Sequence, residues 1–222
     1  MSAAPATVAA PPRKPDAIVA YADEGPLATT LGGAVARLVP LPGEVLALVG
    51  AIPVFAAIAL EGGDASDGVV VGVLAWLVLC GALVAGRPRT GRLRWIVPPL
   101  WRATEYAALL WLAAADGAET LPAAFALLCA LAFRHYDLVY RLRHRSTTPP
   151  AWVNLVSLGW DGRIALAAVL LLLGALPDGL WALAVLFAAV FVADSAVDWT
   201  RWAREQRGTM TGAYEDEEDE GQ

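Results

Sequence analysis

Apolar residues along this chain gather into six runs, separated by short connectors that hold most of the charge. The runs occupy 43–60, 68–85, 95–115, a stretch from 121 to 133 or beyond, one that opens between Trp152 and Trp160 and ends at Leu176, and 180–197. Most are about eighteen residues or longer, the length a helix needs to cross ~30 Å of hydrocarbon at ~1.5 Å per residue. Alternation of the strand kind is missing, and segments rich in Ala and Leu must satisfy their own backbone hydrogen bonds inside a bilayer, which helices do. Pro98 and Pro99 mark the true start of the third helix, and Pro122 starts the fourth, because proline suits the first helical turn. The pattern therefore predicts an all-α polytopic membrane protein.

Charge orients these helices. Of 16 basic residues, 14 fall in four places: Arg13, Lys14 and Arg37 before the first run; Arg87, Arg89, Arg92 and Arg94 after the second; Arg134, Arg141, Arg143 and Arg145 after the fourth; Arg201, Arg204 and Arg207 after the sixth. The intervening connectors carry Glu61, Asp64, Asp67, Asp116, Glu119 and Asp178 instead. Lysine and arginine flanking a span stay on the cytoplasmic side, so the alternation predicts six spans with both termini inside, in the cell membrane. The expected organisation is a loose cytoplasmic arm over 1–42 with one short helix near 33–38, a transmembrane domain over 43–204, and a disordered acidic tail over 205–222. The start, MSAAPATVAAPP, has neither the basic beginning nor the apolar core of a secretory signal, so no cleaved leader is expected.

Composition agrees with the pattern. Mean hydropathy is +0.54 and only 17% of residues are charged, too apolar for one soluble core. Cys80 and Cys129 lie within runs and lack metal-ligand spacing, so both read as small packing residues. A net charge of -6 argues against a nucleic-acid partner. No phosphate-binding loop, nucleophile elbow or zinc-protease signature is present in the sequence.

Three polar sets remain. Arg102 and Arg163 lie inside apolar runs; they either snorkel to headgroups beside Trp101 and Trp160, or face inward, where Glu105 shares a helical face with Arg102. FRHYDLVYRLRHR, 133–145, places Arg134, Asp137, Arg141 and Arg145 in one stripe, so Asp137 can pair with Arg134 and Arg141. Glu105, His135 and Asp137 are candidates for a buried polar cluster. Arg134, Arg141, Arg163 and Arg102 are candidates for holding a phosphate or lipid headgroup. In SLGWDGRIA, Asp161 can cap a new helix. With Asp194 and Asp198 of DSAVD, it could instead hold Mg²⁺, an ion that prefers one or two carboxylates plus phosphate oxygens.

The segments DAIVAYADEGPL, LWRATEYAALLWLAA, LAFRHYDLVYRLRHR, TPPAWV and LGWDGR resemble a membrane-domain family of unknown function from high-GC bacteria. In that family the domain often follows a nucleotidyltransferase and a CDP-alcohol phosphatidyltransferase in one chain. The resemblance implies an association with phospholipid metabolism and a lipid-synthesis enzyme as partner. Asp161, Gly162 and Asp194 with Asp198 also match fragments of the CDP-alcohol phosphatidyltransferase pattern, but Leu166 stands where that pattern requires arginine. The expected function is a non-catalytic accessory module binding anionic lipid or a partner protein. The alternatives are a divalent-metal-dependent transferase acting on a phospholipid or polyprenyl phosphate, and a small transporter with Arg102, Glu105 and Asp137 along its path.

Overall fold

The structure, a computed structural model, describes residues 16–220, with side chains over 16–206. The described residues form nine α-helices: α1 (Ala17–Ala22), α2 (Pro26–Val35), α3 (Gly43–Glu61), α4 (Asp67–Ala85), α5 (Val97–Asp116), α6 (Leu121–His144), α7 (Ala151–Val156), α8 (Gly159–Leu172) and α9 (Leu176–Glu220). Five stretches are long and apolar enough to cross a membrane: Gly43–Asp64, Asp67–Ala85, Ala118–His144, Ala151–Leu172 and Leu176–Gln206. Six were expected. The sixth expected, α5, has 20 residues but less apolar character, because it carries Arg102 and the buried Thr104 and Glu105.

Local chemistry sets most boundaries where the pattern placed them, with α5 opening on Pro98 and Pro99 in its first turn. One boundary differs. The fifth run was expected to reach Leu176, yet α8 ends at Leu172 and Leu176 opens α9. Gly174, at φ +64°, supplies the left-handed residue that stops a helix, and Pro177 then starts the next one. The backbone of α9 runs helical from Leu176 to Glu220.

The core draws on α3, α4, α5, α6, α8 and α9. Trp101 of α5 and Trp160 of α8 stack with centroids 4.8 Å apart and planes 19° from parallel. Gly81 of α4 lies against the Trp160 indole so closely that a Cβ there would overlap the ring, which is why the flattest residue stands at that point. Both tryptophans are buried within the bundle. A buried indole stack contributes area and a further ~0.5–1.5 kcal/mol from ring geometry. Cys80 is buried as expected, whereas Cys129 is exposed on the outer face of α6.

Residues 16–42 are the largest departure from the expected arm, of which 1–15 lie outside the described residues. Asp16 accepts from the Ile18 N–H and caps α1, and Pro26 begins α2. Gly32 of α2 packs directly on Gly86 at the end of α4, backbone against backbone. Arg87 donates to the Leu83 carbonyl through Nε at 3.0 Å, to the Ala36 carbonyl through Nη2 at 2.8 Å, and to the carbonyls of Val39 and Leu41. Arg89 donates to the Ile18 carbonyl and pairs with Glu24. Arg87 and Arg89, expected only as orienting charges, are thus the staples that bind this segment to the arginine-rich end of the bundle.

Candidate functional site

Asp23 lies between α1 and α2 in a left-handed conformation, φ +49°, which aspartate tolerates better than most residues. That turn aims its carboxylate down into the bundle, where it meets three arginines from three helices. Arg163 Nη2 of α8 donates to Oδ2 at 2.8 Å, Arg102 Nη1 of α5 donates to Oδ2 at 3.3 Å, and Arg134 Nη2 of α6 donates to Oδ1 at 3.2 Å. Glu105 answers from below: its Oε1 accepts from Arg163 Nε at 2.6 Å and its Oε2 from Arg102 Nη1 at 3.1 Å. Arg163 also donates to the Ser157 carbonyl, Arg134 to the Asn154 side-chain oxygen, and Arg102 to the Tyr21 carbonyl. His135 Nε2 stands 3.7 Å from Asp23, and its Nδ1 shares a hydrogen bond of 2.7 Å with the Tyr106 hydroxyl. Burial opposes ionisation of Asp23, but Arg163, Arg102, the neighbouring His135 and Arg134 outweigh it and hold the carboxyl well below its usual range.

Asp161 serves a separate purpose. Its Oδ1 accepts from the Gly25 N–H at 2.5 Å and its Oδ2 from the Ala28 N–H at 2.7 Å, so it caps α2 rather than its own helix. The carboxylate thereby also faces the positive end of the α2 dipole. Two glycines make this docking possible. Gly159, at φ +66°, packs against the Gly25 backbone with no room for a Cβ, and a Cβ on Gly25 would strike the Leu158 carbonyl. Gly159→Ala should therefore cost more than the ~1–2 kcal/mol of left-handed strain alone. Gly174→Ala, at a similar φ but with nothing within 4 Å, should cost only that strain. Thermal midpoints of the two purified variants check the difference.

A third set joins α6 to α9. Arg141 lies 2.6 Å from Asp137 through Nε and donates through Nη2 to Asp194 at 2.8 Å. Arg145 pairs with Asp198 and lies over the rings of Trp199 and Trp202. Ser195 donates to Asp137 at 3.1 Å.

These positions sort the expectations. The inward reading of Arg102 with Glu105 describes the fold, and Arg163, wholly buried, does not snorkel. Arg134 turns to Asp23 and Asn154 rather than to Asp137, which Arg141 takes. His135 lies at the edge of the Asp23 network, and Asp137 in the α6–α9 set. The residues proposed for Mg²⁺ do not fit it: both oxygens of Asp161 are taken by backbone N–H groups, and Asp194 and Asp198 are engaged by Arg141 and Arg145. Among the described residues, no three His, Cys, Asp or Glu side chains converge as a metal site. Asp23 itself, with Asn154 and Tyr106, escaped the sequence reading. Its only local signal is the turn sequence DEGP, which marks a bend but not its partners.

Beside this network runs a groove of about 420 Å³ between α1, α5 and α6. Its walls are apolar, among them Ile18, Pro98, Leu138 and Val139, and its polar end is formed by Arg102 and His135. This volume falls within the ~300–1,000 Å³ of small-molecule sites. Arg102 and His135 side chains retain 17% and 16% exposure, while Arg163 and Glu105 behind them have none. On its other side the network borders a smaller pocket of about 240 Å³, lined by Asp23, Glu24, Thr29 and Asn154.

Helices of membrane-crossing length, knitted at one end by a buried ion-pair network that draws in the N-terminal segment, define a polytopic helical protein. Residues 12–218 match the model of a family of unknown function, DUF5941, and the chain belongs to that family. Neither a curated protein nor a solved structure matches it.

Proposed function

We propose that this chain is a six-span cell-membrane module, with both termini cytoplasmic, that binds a membrane amphiphile in the groove between α1, α5 and α6 and acts as a non-catalytic accessory in CDP-alcohol phospholipid metabolism. The groove carries the reading: it is apolar along its length and ends on two polar side chains, the form of a site for a molecule with a greasy body and a polar end. Support for the non-catalytic role comes from the chemistry-bearing side chains. Asp23, Glu105, Asp161, Asp194 and Asp198 are each satisfied by internal donors that hold the fold. The sixth span is α5, whose 20 residues extend for ~30 Å and whose Arg102 and Glu105 neutralise each other within the bundle. The orientation follows from the arginines crowded at one end, and a lipid-synthesis enzyme is the partner implied by the sequence resemblance.

Val139 lines the groove and is half exposed, so Val139→Trp should fill the groove without disturbing the core. Native mass spectrometry of protein extracted in mild detergent should find a retained amphiphile in the wild type and lose it in this variant. Equal retention in both would refute the groove as the binding site.

A further inference from the structure

We infer that the occupant of the groove is an anionic phospholipid of the adjacent leaflet, its phosphate held by Arg102 with His135 beside it. This deepens the reading of the groove as an amphiphile site and rests on it.

Charge points to an anion. The ion-pair network holds three arginines, Arg102, Arg134 and Arg163, against two carboxylates, Asp23 and Glu105, and so carries one excess positive charge. Glu24 is matched by Arg89, and Asp161, whose oxygens are taken by the amides opening α2, reaches Arg163 only as a longer-range charge. An uncompensated charge away from water is costly, and a bound anion offsets it.

The location of the available donors points to the groove. Arginine has five N–H donors. Arg102 uses three of them, toward Asp23, Glu105 and the Tyr21 carbonyl, which leaves two. Of the three network arginines, Arg102 alone lines the groove. Next to it, the His135 ring lines the groove, with its Nδ1 taken by Tyr106 and its Nε2 turned toward Asp23 at 3.7 Å. A phosphate oxygen on Arg102 would thus meet charge-assisted donors already oriented by the network behind them.

Depth points to a headgroup rather than a soluble anion. Arg102 is five residues into α5, about 8 Å from its first residue, a depth from which an arginine side chain reaches the headgroup layer. Trp95 and Tyr21, at the groove's margin, are the residue types that settle at headgroup level. The apolar walls between them suit the glycerol and upper chain of the same lipid.

Wild-type protein in mild detergent, supplied with equal amounts of phosphatidylglycerol, phosphatidylcholine and oleate, should retain one phosphatidylglycerol with about tenfold preference, and native mass spectrometry reads this directly. The preference should fall toward unity in Arg102→Gln and shrink in His135→Gln. The competition within the wild type remains decisive even if Arg102→Gln fails to fold. Equal retention of the two phospholipids, or oleate displacing both, would overturn the anionic phospholipid while leaving an amphiphile groove in place. Retention of none of the three would remove the groove reading itself.

Discussion

Asp23→Ala should lower the stability of the folded protein by about 3–5 kcal/mol, the cost of removing one partner from a buried ion pair and leaving the other unanswered. Three arginines lose their common acceptor at once, and the hairpin of α1 and α2 loses its side-chain ion pairs to α5, α6 and α8. Thermal unfolding in detergent should show a clear drop in midpoint, and limited proteolysis should cut first within 16–42. A midpoint within a degree of the wild type would mean that the Asp161 cap and the Arg87 fork hold the segment unaided. The same residue gives the fold a pH dependence with a definite sign. The Asp23 carboxyl titrates well below its usual range in the folded protein, because the arginine attraction exceeds the desolvation cost. A depressed carboxylate contributes its full stability above the unfolded value of about 3.9, and loses it as pH falls through the lower folded value. Stability from this group should be constant from neutral pH to about pH 5 and decline only in stronger acid. In Asp23→Asn that acid limb should shrink.

How far the sequence could foresee this arrangement depends on which interactions are local. Helix α4 was legible nearly to the residue, and α3 likewise, since a long apolar run and its flanking turn chemistry carry all the information. The facing of Arg102 and Glu105 was legible for the same reason, being three residues apart on one helix. Asp23 was not, because its partners lie 79, 111 and 140 positions away and nothing in ADEGP announces them. Asp161 was recognised as a cap but given the wrong helix: the backbone groups it satisfies belong to a segment 133 and 136 residues earlier. The loose appearance of residues 16–42 has the same origin. Their order comes from contacts with Arg87, Arg89, Gly86 and Gly159, and not from any periodicity of their own.

Arg163→Leu should cost about 3–5 kcal/mol, yet Arg163→Leu combined with Glu105→Leu should recover much of that loss. Arg163 and Glu105 are both wholly buried and bonded at 2.6 Å. Removing the arginine alone leaves Glu105 with only Arg102, at 3.1 Å, inside a low-dielectric bundle. Removing both replaces a desolvated pair by apolar volume, an exchange that is often neutral or favourable in protein interiors. Asp23 keeps Arg102 and Arg134 in either variant, so the N-terminal hairpin stays tethered. The two single variants and the double variant form a thermodynamic cycle, read from unfolding midpoints in one detergent. A double variant more stable than Arg163→Leu alone would identify the pair as a device that fixes how α5 and α8 meet rather than a net source of stability. If the double variant loses the sum of both single losses, the two side chains are uncoupled, and each matters through its other partner, Glu105 through Arg102 and Arg163 through Asp23.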